Sequence, residues 1–95
     1  MSKTVQAGSF YEFDRFSAFH EVGWTISHRG VAISRVRAGK DVYTLRRADA
    51  FDLARSVFPG QPVEEGPREA AHFRHFHPGR RAEGLGHIFF DDRGG

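Results

Sequence analysis

Residues 72–90, HFRHFHPGRRAEGLGHIFF, decide how this chain is read. His75 and His77 are two apart, so on a strand both side chains leave the same face. Pro78, Gly79, Gly84 and Gly86 supply turn chemistry, and the apolar run Ile88, Phe89, Phe90 follows at once. The stretch therefore predicts a closing hairpin. Alternation sends Phe76, Ile88 and Phe90 toward a core, and Phe73, His75, His77, His87 and Phe89 the other way; a one-residue slip would exchange the two sets. With His77 opposite His87, the imidazoles would lie roughly 5 Å apart. Arg80 and Arg81 fall in the connecting segment, near that end of the hairpin.

Working outward, the 95 residues make one small domain, with residues 1–8 as a flexible leader and 91–95 as a polar tail. Ten phenylalanines fill much of the core that so short a chain can bury. The absence of cysteine excludes disulfides and thiolate metal sites. No apolar stretch is long enough to span a membrane, and the N-terminus lacks a signal-peptide apolar segment. Net charge is only +2, yet Trp24 to Arg47 holds five arginines and one lysine against the single acid Asp41. Such a local excess suits phosphate groups, and equally a solvated surface.

Ser9 with Glu12 matches a capping box, after which Phe10, Phe13, Phe16 and Phe19 share one side of a predicted helix that stops at Gly23. Residues 24–28 and 31–37 read as strands about Arg29-Gly30, with Val36 out of phase and a bulge or an edge position as the explanation. Ala38 to Asp41 is a candidate hairpin turn, and Val42 to Leu45 returns as a strand. Asp49 is placed to cap a second helix carrying Ala50, Leu53, Ala54 and Val57, ended by Pro59-Gly60. Residues 59–71 read as a loop. The expected class is α+β, a small antiparallel sheet with two helices in the order α-β-β-β-α-β-β. His20 reads as a core residue of the first helix, and His28, beside a turn, and His72 as surface residues that bind nothing.

His75, His77 and His87 beside two guanidinium groups suit phosphodiester cleavage without a metal or other cofactor. One neutral histidine takes a proton from an attacking hydroxyl, and a protonated one donates to the leaving oxygen. A histidine pKa near 6.5 makes both forms available near neutrality. Arg80 and Arg81 would hold the phosphate in two-point geometry. RNA brings its own nucleophile, the 2′-hydroxyl. Within that site His77 and His87 are the acid–base pair, in either order, and His75 orients one of them or contacts substrate. Two other readings stay open. Three histidines with a vacant position form a known catalytic zinc arrangement, although only Glu83, Asp91 and Asp92 offer outer partners and two arginines oppose a dication. The other is a non-catalytic nucleic-acid or protein-binding module that uses the basic 24–47 segment.

Tyr43-Thr44, the helix with Leu53-Ala54-Arg55, His75-x-His77-Pro78, Arg80-Arg81 and Gly86-His87-Ile88-Phe89-Phe90 together resemble the C-terminal modules of bacterial polymorphic toxins. The resemblance covers about residues 42–90 and leaves residues 1–41 unmatched. It implies a ribonuclease-type toxin acting in the cytoplasm, with His75, His77, His87 and one of the two arginines at its site and a cognate immunity protein as partner. This chain departs from that pattern by starting at its own Met1 with no delivery region in front. An excised module, a standalone toxin and a relative with another role all fit.

Overall fold

Ala32 and Val36, four residues apart, are both fully buried, and that spacing belongs to a helix. The computed structural model describes residues 5–16, 21–66, 73–79 and 84–91. Its elements run β1 (Phe10–Phe13), β2 (Val22–Ile26), α1 (Arg29–Arg37), β3 (Asp41–Thr44), α2 (Arg47–Val57), β4 (Val63–Glu65), β5 (Arg74–His77) and β6 (Ile88–Phe90). The strands form one six-stranded sheet in the order β2-β1-β3-β6-β5-β4. The class is α+β. The sheet is mixed, because β3 and β6 run parallel while every other pair is antiparallel.

The order of elements differs from the sequence expectation in its first half. Phe10 to Phe13 form a strand with buried rings on both faces. Tyr11 and Phe13 join one buried cluster and Phe10 the other. The three-residue spacing of phenylalanines is therefore not a helical stripe. Residues 31–37 are helical, and Val36, out of phase for a strand, is in phase with Ala32. The chain irregularity lies instead where β1 meets β2, between Tyr11 and Phe13. There Gly23 passes so close to Glu12 that an added Cβ would sit 3.2 Å from its backbone oxygen.

The turn expected at Ala38 to Asp41 is a helix C-terminus. Gly39 takes φ +87°, its N–H donates to Val36 O at 3.0 Å, and Lys40 N–H donates to Arg35 O at 2.9 Å. That pair of bonds closes a Schellman motif, which satisfies carbonyls the helix leaves over and favours glycine. Helix α2 agrees with expectation, with Ala50, Leu53, Ala54 and Val57 buried, although Arg46 and not Asp49 holds the cap position. The loop expected over residues 59–71 contains the short edge strand β4.

Both helices pack on one face of the sheet, over a core that includes Phe76, Ile88 and Phe90. The opposite face is buried as well. There Tyr11, Phe13, Tyr43 and Phe89 form a second cluster with Val5, Val22 and Phe73 against it. Phe13 and Phe89 lie 4.6 Å apart between ring centroids, and Tyr43 meets Phe73 edge-on at 4.9 Å. A fold this small gains its stability from two thin cores in place of one thick one.

At the β4 edge, the Arg47 guanidinium donates to Glu64 at 2.7 Å and so ties α2 to the sheet. That hydrogen bond holds the Glu64 carboxyl below its ordinary pKa, against the opposing effect of burial, with the charges of Arg47 and Arg74 adding to it. A lowered carboxylate pKa stabilises the fold above the unfolded-state value and loses that contribution as pH falls through the folded-state value. The melting-temperature gap between the parent and Glu64→Gln is thus expected at pH 7 and should close in strong acid. A gap that widens on acidification would contradict this sign.

Candidate functional site

Strand pairing assembles the histidines. Phe76 pairs with Ile88 and His75 with Phe89, and the same register carried one residue further sets His77 beside His87. Phe76 is thereby buried under the helices, and His75 and His77 lie on the other face. The His75 and His87 rings stack at 4.6 Å with 8° between planes. The His77 and His87 rings meet edge-on at 4.9 Å. His87 is thus the centre of the cluster. It is also the most open member, since His75 and His77 retain only 7% and 8% exposure on a face that is itself covered.

Backbone and neighbouring strands orient two of the rings. His77 Nδ1 lies 3.0 Å from the Pro78 carbonyl oxygen. A carbonyl only accepts, so Nδ1 carries hydrogen and the lone pair of the neutral ring is on Nε2. Pro78 is itself fully buried, so this acceptor is held in place. Glu65 pairs with His75 across β4 and β5, and its carboxylate lies 3.1 Å from His75 Nε2. A carboxylate in this position fixes the tautomer and the ring plane.

The third ring is positioned from β3. Asp41 is 4% exposed and accepts the backbone N–H of His87 at 3.0 Å. Its carboxylate also accepts Arg15 N–H at 2.9 Å and Arg15 Nε at 3.0 Å, and pairs with the far guanidinium nitrogen at 2.9 Å. The remaining guanidinium nitrogen of Arg15 lies 3.1 and 3.2 Å from the two nitrogens of the His87 ring. The in-plane directions of the two ring nitrogens diverge, so an atom equidistant from both sits against the ring and not along either one. Gly86 makes this placement possible. Its N–H donates to Val36 O at 2.8 Å, and a Cβ there would fall 1.8 Å from the Lys40 carbonyl oxygen. No side chain fits at position 86 without moving the segment that carries His87.

Asp41→Asn should test the fork. The amide still accepts from His87 N–H but no longer offsets the Arg15 charge. Loss of a partner for a buried charged group costs about 1–3 kcal/mol, and the 24% exposure of the Arg15 side chain lets water recover part of it. Urea denaturation should show a lower midpoint; an unchanged midpoint would mean the fork adds nothing to stability.

Among the expected site residues, His75, His77 and His87 come together. Arg80 and Arg81 lie outside the described residues, as do His20, Phe19, His72, Glu83 and Asp92. The partners the sequence reading did not name are Arg15, Asp41 and Glu65. Asp41 left one trace, as the single acid in a basic stretch at the head of a strand buried at all four positions. Arg15 left none, since the residues between Ser9 and Gly23 read as a helix.

Four of the five arginines of the basic segment have partners within the fold. Arg35 is spent on the Asp41 and Phe13 carbonyls and on Glu12. Arg29 reaches Asp52 and Ser56, Arg37 the Val57 carbonyl, and Arg47 Glu64. The three-histidine metal reading also loses its geometry. Stacked parallel rings direct their lone pairs side by side, where a tetrahedral ion needs them to converge. Among the described residues no group of three histidine, cysteine, aspartate or glutamate side chains is arranged to hold an ion. Among those residues, too, no helix is long and apolar enough to cross a membrane.

Compared with known proteins, the chain matches no family model, no curated protein and no solved structure.

Proposed function

We propose that this protein cleaves RNA by histidine acid–base catalysis and acts as a toxin of the polymorphic-toxin kind. The observation that carries the reading is the contact of His87 with both His75 and His77, with the Arg15 guanidinium against the same ring. In the proposed reaction the 2′-hydroxyl oxygen bonds to the adjacent phosphorus while the bond from phosphorus to the 5′-oxygen breaks. One imidazole of the His77–His87 pair accepts the hydroxyl proton, and the other donates a proton to the leaving oxygen. The charge that builds on the phosphoryl oxygens falls to guanidinium groups. Arg15 joins Arg80 and Arg81 in that role. His75, braced by Glu65, sets the plane of His87 by stacking. The polymorphic-toxin resemblance adds cytoplasmic RNA as the target and an immunity protein as the inhibitor.

The burial of His75 and His77 favours a second reading, in which the imidazoles only pack and the domain is a non-catalytic nucleic-acid or protein-binding module. Incubation of purified protein with a defined RNA separates the two. Strand scission in EDTA that requires His87 supports cleavage. Intact RNA supports the binding module, and scission that EDTA stops and zinc restores supports metal chemistry.

A further inference from the structure

At Asp41 the surface opens into a cleft of about 330 Å³. Phe16, Asp14, Arg35 and Lys40 stand on its walls. Phe16 is the most exposed large apolar side chain among the described residues, at 85%. A phenyl ring left in water at the mouth of a cleft has no packing role. Its backbone is nevertheless fixed, because Phe16 N–H donates to Asp14 Oδ1 at 2.9 Å. The Arg15 guanidinium carbon lies 5.3 Å from the Phe16 ring centroid, so this one side chain touches the exposed ring, the Asp41 carboxylate and His87. Arg15 and Asp41 therefore link the cleft to the imidazole cluster.

We propose that this cleft is a subsite for one nucleobase of single-stranded RNA, stacked on Phe16 with a neighbouring phosphate drawn to Lys40. The inference rests on the RNA-cleavage reading and adds to it the recognition of the strand. Three features select this occupant. An exposed aromatic face beside an arginine is the platform on which single-stranded nucleic acids stack, and such platforms tolerate any base. The volume lies at the lower end of the range for small-molecule pockets, which suits one planar ring and not a folded peptide segment. A carboxylate, Asp14, and a cation, Lys40, flank the ring. They match an N–H donor on the edge of a base and the phosphate of its backbone respectively. A duplex would keep its bases stacked on one another and could not use Phe16, so the subsite selects unpaired RNA.

The test is equilibrium binding of a fluorescent tetradeoxynucleotide to the full chain. This probe lacks the 2′-hydroxyl and is inert to the proposed reaction, so binding is read apart from cleavage. Phe16→Ala should weaken binding about 5- to 100-fold, the loss that follows removal of one stacking aromatic. Phe16→Trp should restore it. Lys40→Ala should lower the salt dependence by about one phosphate contact. Both side chains are exposed, so neither change removes core packing. Equal binding by the parent and Phe16→Ala would overturn the subsite even if the parent cleaves RNA. A parent that does not bind the probe would also overturn it. Phe16-dependent binding by a parent that leaves RNA intact would uphold the subsite and remove the cleavage reading.

Discussion

His87→Ala is expected to slow RNA cleavage by about 10²–10⁴-fold, the range for loss of a general acid or base. The ring touches both other imidazoles and the Arg15 guanidinium, so its removal takes away one proton carrier and the surface that orders the rest. His77→Ala should fall in the same range. The double variant should lose far less than the product of the single losses, because the pair acts as a unit. The parent should show a bell-shaped dependence of rate on pH. Initial rates on a fluorogenic RNA, with circular dichroism to verify folding, measure all of this. His87 is partly exposed, so alanine there should leave a folded protein. Undiminished rates in both single variants would remove the histidines from the chemistry.

Phe13→Ala and Phe16→Ala should differ sharply in stability, although the two residues are three apart in sequence. Phe13 is 4% exposed and packs against Tyr43, Phe73 and Phe89. Truncation there should cost about 3–5 kcal/mol, enough to threaten a domain of this size. Phe16 stands in water, and its loss should change stability by no more than about 0.5 kcal/mol. Denaturant midpoints decide between this arrangement and a phenylalanine-striped helix, for which both variants would be costly. Equal large losses would contradict the strand at Phe10 to Phe13.

That contrast marks where local pattern stops informing. The closing hairpin was legible because alternation, turn residues and two apolar runs agreed, and so were the strand from Val42 and the helix through Leu53. The N-terminal strand was hidden because Phe10 is buried on one face of the sheet and Tyr11 and Phe13 on the other, which erases the two-residue period. Helix α1 was hidden by Val31 and Ile33, β-branched residues that suggest a strand, while its only fully buried positions are Ala32 and Val36. The parallel pairing of β3 with β6 depends on contacts 46 residues apart, such as Asp41 with the His87 backbone, and no local signal reports it. The site divides the same way. A shared face for three histidines follows from strand geometry alone. Arg15, Asp41 and Glu65 reach them only through the folded sheet.

The most direct test of RNA cleavage by these imidazoles is the chemistry of the product ends from a short single-stranded RNA in EDTA. Attack by the 2′-hydroxyl leaves a 2′,3′-cyclic phosphate on one fragment and a 5′-hydroxyl on the other, both visible by mass spectrometry. A single 2′-deoxy substitution at the cleaved position should abolish scission there and nowhere else. Cyclic phosphate ends that vanish with the 2′-deoxy nucleotide are the predicted result. Scission that continues past the 2′-deoxy substitution, or no scission at all, would contradict it.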